Sequence, residues 1–527
     1  MNRSLAKWGR AGVAALALAA ITGCGGYSDS EKINTPTPTP TSATPTPTPT
    51  PSGPRVPATP AASCPSIADP QGLTNAGTIT GPTGTYRVCV LPSLVTVSTR
   101  LPRIAGVLYE LPGRVDIGRD GGPTATASDT NVTLTIDAGV VVFGVDASWL
   151  AVNRGNKLQA IGTATAPIVF TSRDNVLGTN LDNSSGQWGG VVLMGRAPIS
   201  DCATTGATPG TASCQAQTEG AVDPARYGGG TPADSSGRLS YVQIRYSGFV
   251  LSANQELQAL TAEGVGSGTV LDHIMSYNSS DDAVEIFGGR VNMKYFVAVG
   301  AEDDSIDTDS GVKANLQYVL AVQRPGFGDS LIEADTDDTS FPQVPRQNTL
   351  LANFTLIDQS PNAASNRASM LLRGGTDYTM ANGILVSSAN PCLRINGVQT
   401  ASTTVDPAAD EAGPPLFRSV VMQCGTPHYI GTGGVTDSVV ALLFGNGANN
   451  NSDAFTPTLT GGYINGANET GVPAYDVRAL SSFFDTTSYI GAVRDAADRW
   501  YAGWTCNSSA ADFDADNTGA CTSLPII

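Results

Sequence analysis

The amino-acid sequence predicts an all-β protein whose short parallel strands wind into a right-handed parallel β-helix. The first indication is composition: charged residues make up only 14% of the 527 residues, whereas Gly (59) and Pro (34) are abundant, which favours strands and turns over helices. The second is that short strand-like runs, such as Val132–Ile136 and Ile168–Phe170, follow turn-rich stretches with no helical pattern between them. The third is an internal repeat, which indicates a solenoid.

The repeat is clearest in three consecutive coils. Asp281–Ile286 aligns with Asp303–Thr308 at an offset of 22 residues, and Ser330–Ala334 follows as a third copy after a longer loop. Leucine-rich repeats have a similar length, but their Leu-x-x-Leu-x-Leu frame is absent. A parallel β-helix is therefore the fold that the repeat favours.

Alternation of side chains along each strand sorts the residues of these coils into two sets. The inward-facing set is Val284, Ile286, Ile306, Ile332 and Ala334. The outward-facing set is Glu285, Asp307 and Glu333, which we expect to stack as a ladder of carboxylates.

The N-terminal segment has the pattern of an export signal. Three basic residues precede the apolar run 11–21, which is too short to span a bilayer and predicts a signal peptide over residues 1–23. The sequence Ile-Thr-Gly-Cys ending at Cys24 resembles the bacterial lipobox, which implies cleavage before Cys24, a diacylglycerol on its sulfur and a palmitate-type acyl chain on its amine. An ordinary secretory peptide with a chance cysteine is the alternative. Gly25 stands where an inner-membrane retention signal has Asp, so the outer membrane is favoured.

The domain organisation follows from these patterns. Residues 24–60 contain the lipid anchor and a Thr/Pro-rich linker. We expect this linker to be disordered and to favour extended polyproline II. Residues 61–130 are expected to form an N-terminal cap region, residues 131–475 the β-helix, and residues 476–527 a C-terminal cap segment.

The cysteines suit an oxidising compartment. Eight remain besides Cys24, an even number that suggests disulfides in an exported chain. They fall into four pairs that are local in sequence, and the expected bridges are Cys64–Cys89, Cys202–Cys214, Cys392–Cys424 and Cys506–Cys521. No Cys-x-x-Cys occurs, which disfavours a zinc ribbon or a redox centre.

Two stretches of the chain resemble bacterial surface or secreted β-helix lipoproteins of unassigned activity. They are Lys157–Ser172 followed by Gln187–Leu193, and the tail Tyr489–Val493 followed by Trp500–Trp504. The resemblance covers roughly residues 95–527 and implies the fold rather than a particular chemistry, because one fold serves many functions.

The consecutive acidic pairs of the repeat are the candidate catalytic residues. Pectate-lyase-like and polygalacturonase-like enzymes use this fold, and paired carboxylates can supply the acid and base for glycoside cleavage. The candidates are Asp281, Asp282, Asp303, Asp304 and Asp307. The Gly-His-Gly and Arg-x-Lys segments of the hydrolases do not occur, so a structural or ion-bound acidic edge is the favoured interpretation. Arg290 and Lys294 are the expected neutralising neighbours.

Other candidate sites are weaker. Asp512, Asp514 and Asp516 alternate as in the first half of a calcium loop, but Ser523 stands where the bidentate Glu is expected, so a solvated acidic turn competes with a Ca²⁺ site. His273 lies in a predicted strand, and a structural role is favoured over a catalytic one.

Three classes of function remain. The first is an outer-membrane-anchored or released lipoprotein that presents its β-helix to an extracellular glycan, or acts as an accessory to an outer-membrane or secreted protein. The second is an extracellular polysaccharide lyase or glycoside hydrolase, and the third is a structural or adhesive surface protein. A net charge of −17 argues against a nucleic-acid partner.

Overall fold

The computed structural model describes residues 56–252, 255–337, 343–361 and 367–525. The predicted signal peptide, Cys24 and most of the predicted linker lie outside these residues. Within the described ranges, no helix combines the length and the apolar character that crossing a membrane would require.

Two parallel sheets, sheet A and sheet B, form the body of the protein, because each turn of the chain adds a strand to one sheet and then to the other. Sheet A consists of β1 (Thr74–Gly81), β2 (Gly84–Val90), β4 (Thr99–Leu101), β5 (Val107–Glu110), β7 (Thr133–Ile136), β8 (Val141–Gly144), β10 (Lys157–Ile161), β11 (Ile168–Ser172), β15 (Gly237–Arg245), β19 (Val270–Tyr277), β21 (Arg290–Val299), β23 (Lys313–Gln323), β25 (Asn348–Asp358), β27 (Asp377–Ser387) and β29 (Leu416–Cys424). Sheet B consists of β3 (Leu94–Val95), β6 (Arg114–Ile117), β9 (Trp149–Val152), β12 (Val191–Met194), β18 (Leu260–Glu263), β20 (Val284–Phe287), β22 (Asp307–Asp309), β24 (Ile332–Ala334), β26 (Met370–Leu372), β28 (Leu393–Asn396) and β30 (Tyr429–Thr432). The predicted parallel β-helix is thereby confirmed.

Smaller elements decorate this body. They are the hairpin of β13 (Ala216–Gln217) and β14 (Arg226–Tyr227), the hairpin of β16 (Val250–Ser252) and β17 (Gln255–Glu256), the α-helices α1 (Arg173–Leu177), α2 (Asp437–Phe444) and α3 (Ala467–Thr470), and the 3₁₀ turns Pro407–Ala409 and Val477–Ala479.

The core lies between the two sheets and runs the length of the stack. The residues predicted to face inward are all 0% exposed, and they belong to one continuous hydrophobic cluster. Burial of aliphatic side chains at equivalent positions of successive coils removes their apolar surface from water, which is the main force that holds the coils together.

The two ends of the stack are closed differently. Parallel pairing begins with β2 against β5, so the stacked coils extend into the region predicted as the N-terminal cap. At the other end α2 packs on the last coil through Val440 and Phe444. Thr436 caps this helix by accepting a hydrogen bond from the amide of Val439, and Gly445, with φ of 70°, ends it.

One corner of the β-helix is built from residues in the left-handed backbone region. In each of seven successive strands of sheet A, from β15 to β29, one residue has φ between 51° and 62° and interrupts the strand pairing. This bend turns the chain around the corner. The residues are Tyr241, His273, Tyr295, Tyr318, Asn353, Asn382 and Ser419, which we call the corner column. Such a conformation is unfavourable for residues other than Gly and needs support from its surroundings.

The C-terminal segment supplies this support. Of the predicted C-terminal cap segment 476–527, the described residues 476–525 lie along the side of the coils, on the corner column. The side chains of Ser419, Asn382 and Asn353 donate hydrogen bonds to backbone carbonyls of this segment and of the residues just before it, at 2.8, 3.0 and 2.9 Å. Farther along, the buried Arg245 donates to the carbonyl of Cys521 at 2.9 Å.

The remaining corner residues form an aromatic stack. The ring of His273 lies between those of Tyr241 and Tyr295, with centroid distances of 4.2 and 4.4 Å, and Trp504 meets it edge-on. Its Nδ1 lies 2.8 Å from a carboxylate oxygen of Asp272. This packing agrees with the structural role that the sequence favours for His273.

All four expected disulfides are present. Cys64–Cys89, Cys202–Cys214, Cys392–Cys424 and Cys506–Cys521 each close a loop of 12 to 32 residues. Bridges between cysteines that are close in sequence clip individual loops onto the coils and do not join distant coils.

Replacing Asn382 by Ala should lower the free energy of unfolding by about 3 kcal/mol. Asn382 is fully buried, donates to the carbonyl of Tyr475 and accepts from its amide at 2.7 Å, so the change leaves both backbone groups of the partly buried Tyr475 without these bonds. Denaturant unfolding measures the effect. Asn292→Ala is the control, because Asn292 is half-buried and its side chain accepts a hydrogen bond from the side chain of Asn315 and not from a backbone group of the described C-terminal segment. An equal loss in both variants would contradict the proposed role of the corner column.

Candidate acidic site on sheet B

The predicted carboxylate ladder lies on the outer face of sheet B. Strand pairing places Glu285 opposite Asp307, and Asp307 opposite Glu333, in three consecutive coils. The side chains point away from the core as expected, but they are not open to solvent: Glu285 is 9% exposed and Glu333 is 8% exposed. The alternation of the strands sets the direction of these side chains, whereas neighbouring loops determine their burial.

A long excursion between β12 and β15 contributes to this burial. It spans residues 195–236, contains the β13–β14 hairpin and is clipped by the disulfide Cys202–Cys214. Its residues Ile199 and Tyr227 pack on the outer face of sheet B in one hydrophobic cluster with Met194 and Phe287. The excursion thus covers the part of sheet B that adjoins the acidic ladder.

The excursion also covers a buried carboxyl that the sequence did not single out. Glu263, the last residue of β18, is 1% exposed and accepts a hydrogen bond from the hydroxyl of Thr218 at 2.6 Å. Burial raises its pKa to about 8. The sequence carries no local signal for this residue, because its burial depends on a segment inserted about 50 residues earlier.

The consecutive acidic pairs precede the strands of the ladder and divide into two roles. Asp282 accepts a hydrogen bond from the amide of Asp304 at 2.8 Å, and Asp304 accepts one from the amide of Ser330 at 2.5 Å. These two carboxylates therefore tie each coil to the next. Their neighbours Asp281 and Asp303 are more exposed, and Asp281 accepts a hydrogen bond from the amide side chain of Gln258.

The site is electrostatically strained. Burial, and after it repulsion between neighbouring carboxylates, raises the pKa of most of its acidic groups well above the usual range. Asp303 is raised to about 7, with Asp329 as the largest charged contributor. The other groups raised in this way are Asp281, Asp282, Glu285 and Asp304. Ionising all of them at neutral pH costs stability unless a counter-charge is present.

Arginines from later coils provide part of that counter-charge. A guanidinium nitrogen of Arg373 lies 2.5 Å from Glu333 and another lies 3.1 Å from Asp335. Arg394 lies two register steps beyond Glu333 in the same outward column and donates to the hydroxyl of Thr432 at 3.2 Å. Burial lowers the pKa of Arg394, against the opposing effect of Glu333.

The expectation that Arg290 and Lys294 neutralise the ladder is wrong. Both residues lie on β21 of sheet A, and Lys294 forms an ion pair of 2.7 Å with Asp485 of the C-terminal segment. Proximity in sequence was misleading, because successive segments of one coil belong to different faces of the β-helix. Arg373 could be found only from the register of the coils.

The carboxylates are close enough to share a cation. One oxygen each from Asp282, Glu285 and Asp307 lies within 4.8 Å of the others, and the same holds for Asp281, Asp282 and Asp303. Ca²⁺ binds oxygen ligands at about 2.3–2.6 Å, so two ligands on opposite sides of one ion are separated by about 5 Å. The donor set and its spacing thus fit Ca²⁺.

The C-terminal acidic turn has a different geometry. Its three carboxylates, those of Asp512, Asp514 and Asp516, are not among the described groups that bring acidic oxygens within 4.8 Å of one another. Asp516 lies 3.5 Å from Arg499, and the backbone carbonyl of Asp514 accepts from the side chains of Asn507 and Asn517. Asparagine side chains thus already organise this turn. The Ca²⁺ site predicted here stays a prediction.

Replacing Glu285 by Gln should stabilise the protein at pH 8 in the presence of a chelator. Because the pKa of Glu285 is raised in the folded protein, the folded state retains a proton that the unfolded state loses as pH rises above about 4.5. The stability of the unsubstituted protein should therefore fall as pH rises from about 4.5, and that of the Gln variant should fall less. Thermal melting from pH 4.5 to pH 8 measures the difference.

Asp116→Asn is the matched control, because Asp116 occupies the same outward column near the N-terminal end of the stack. Asp116 is paired with Arg114 at 2.7 Å and accepts from the side chain of Asn153 at 2.8 Å. Its neutralisation should lower stability at pH 8. A Glu285→Gln variant that is less stable than the unsubstituted protein at pH 8 would show that this carboxylate is favourably compensated.

Comparison with known proteins supports the architecture. The family model described as a pectate-lyase-like β-helix domain matches residues 122–456, which include the acidic ladder, the arginines and most of both sheets. No curated protein and no solved structure matches the chain. The match covers more than half of the chain, and the protein therefore belongs to the family of pectate-lyase-like β-helix domains.

Proposed function

We propose that this protein is an extracellular binding protein that holds an acidic polysaccharide on the outer face of sheet B through a divalent cation. The observation that carries the proposal is the group formed by Asp282, Glu285 and Asp307, whose oxygens lie within 4.8 Å of one another. A cation of the Ca²⁺ type would satisfy these oxygens and retain free coordination positions for a ligand carboxylate.

The electrostatics support a cation. Burial and mutual repulsion raise the pKa of Asp282 and Glu285, so the ladder is unfavourable to the protein at neutral pH by itself. A bound divalent cation would make the ionised ladder favourable, because it stabilises the ionised carboxylates and competes with their protons. The carboxylates whose charges weaken the fold by themselves thus lie together at a site that a cation would complete.

The shape of the site supports an extended ligand. The ladder runs along the axis of the β-helix, and successive coils are about 4.8 Å apart. From Asp307 the outward column continues through Glu333 and Leu371 to Arg394, a length of about 14 Å. A cation at the acidic end and a guanidinium at the other end would together attract the carboxylates of one linear polyanion. The pectate-lyase-like family is compatible with such a ligand.

The proposal includes a location. The lipobox-like sequence ending at Cys24 supports anchoring to the outer membrane through lipid, with exposure at the cell surface or release, and the linker up to residue 60 would hold the β-helix away from the membrane. Cys24→Ser should abolish incorporation of labelled palmitate and move the protein out of the membrane fraction. Unchanged incorporation would contradict lipidation at this residue.

The binding function can be tested with purified protein and immobilised polysaccharides. Polygalacturonate and alginate should bind in the presence of Ca²⁺ and be released by a chelator. The binding of an uncharged glucan should change much less when Ca²⁺ is removed. Asp307→Asn should weaken Ca²⁺-dependent binding at least about tenfold, because it removes one charged ligand. Isothermal titration with Ca²⁺ alone measures the ion site independently of any polysaccharide.

Asp116→Asn is again the control and should leave Ca²⁺ binding unchanged, since Asp116 lies in the same column but outside the cation group. Equal Ca²⁺ affinity in the Asp307→Asn variant and the unsubstituted protein would contradict the site. Adhesion to a surface protein without any polysaccharide binding would favour the structural or accessory role.

Eliminative cleavage of the same polysaccharide is a second candidate function, favoured by Arg394. Its guanidinium, at the end of the acidic column, would stabilise the negative charge that develops on the uronate while a carboxylate of the column accepts the proton next to the uronate carboxylate. The glycosidic oxygen would leave with a proton supplied by water. A rise in ultraviolet absorbance from unsaturated products would identify this activity. Its loss in Arg394→Gln, with binding retained, would distinguish catalysis from binding.

A further inference from the structure

A cavity lined by polar and apolar groups lies beyond the acidic ladder, at the carboxyl ends of the last strands of sheet B. It has a volume of about 300 Å³, at the lower end of the range found for small-molecule sites. Three consecutive coils line it, through residues that follow or end β26, β28 and β30. The lining residues are Arg373, Gly374, Asn396, Gly397, Val398, Gln399 and Gly433.

Glycine turns keep this cavity open. A Cβ added to Gly433 would lie 2.5 Å from the side-chain oxygen of Asn396, and Gly433 has φ of 61°. Gly397, with φ of 91°, provides another wall of bare backbone. Both positions therefore place main-chain atoms, and no side chains, against whatever occupies the cavity.

The cavity carries polar groups but little net positive charge. Among the described residues that line it, Arg373 carries a positive charge and is compensated by Glu333 and Asp335 at 2.5 and 3.1 Å. The remaining polar side chains are the neutral amides of Asn396 and Gln399, and Val398, which is 55% exposed, adds an apolar surface. Amide groups next to an aliphatic side chain suit a ligand with hydroxyl groups on an apolar ring, whereas the pairing of Arg373 with two carboxylates leaves this arginine little net charge with which to attract an anion.

We propose that this cavity is a subsite for one uncharged sugar unit, located at a chain end or side branch of the bound polysaccharide. The inference rests on the proposed glycan-binding function but adds a different contact. The acidic ladder would bind charged units through a cation, and the cavity would select a neutral unit through hydrogen bonds. The protein would thereby distinguish a mixed or branched acidic polysaccharide from a homopolymer of uronates.

The test uses the full chain and simple probes. The methyl glycosides of glucose, galactose, mannose and glucuronic acid are titrated in the presence of chelator, and binding is followed by saturation-transfer NMR. At least one neutral glycoside should bind, and the glucuronide should bind more weakly. Gln399→Ala should reduce the affinity for the neutral glycoside about tenfold, because a hydrogen-bond partner of a ligand hydroxyl is lost.

Gln159→Ala serves as the control, since Gln159 is also half-buried but lies on β10 of sheet A. Three outcomes would each contradict the proposed subsite. They are no binding of any of the three neutral glycosides, tighter binding of the glucuronide, and an unchanged affinity for the neutral glycoside in the Gln399→Ala variant. Because the titration is done in chelator, loss of the subsite leaves Ca²⁺-dependent polysaccharide binding to be judged separately. Conversely, failure of the cation site would not remove the binding of a neutral glycoside.

Discussion

The in-register pairing of each coil with the next is the constraint on which the rest of the structure depends. Because parallel strands place equivalent residues directly above one another, a residue type that recurs at one position becomes a continuous column. Apolar residues at inward positions form the core in this way, as the pairing of Ile332 with Met370 and of Met370 with Leu393 illustrates. The same rule creates columns on the outside, where their chemistry is free to differ.

The corner column shows how an external column can be necessary for stability. Seven residues other than Gly adopt a left-handed conformation at one corner, each at some cost. The C-terminal segment and the residues just before it offset this cost, because their carbonyls accept hydrogen bonds from Asn353 and Asn382. The tryptophans of the segment pack on the aromatic stack around His273. The segment therefore connects coils that are far apart along the axis, which the nearest-neighbour contacts of a solenoid cannot do.

The acidic ladder is an external column of the opposite kind. Stacking Glu285, Asp307 and Glu333 at the spacing of the coils brings like charges together, and the neighbouring loops deprive them of water. Arg373 compensates only the Glu333 end. This arrangement opposes folding, but it also brings oxygen ligands close enough to bind one ion. Binding of a cation would therefore account for it. The excursion over residues 195–236 adds burial and brings the hydroxyl of Thr218 onto Glu263.

The sequence by itself determined the class of fold, the direction of the strand side chains and the disulfide pairs. These features are local. Alternation along Val284–Phe287 determines which side chains face the core, and the offset between Asp281 and Asp303 reveals the repeat. Cysteines that are near in sequence can form a disulfide whatever the arrangement of distant coils. Only the tertiary structure decided the burial of the ladder, its pairing with Arg373 in place of Arg290 and Lys294, and the course of the C-terminal segment. Each of these depends on contacts between residues tens to hundreds of positions apart. The sequence carries no periodic signal for such contacts, because the inserted loops and the C-terminal segment do not share the repeat of the coils.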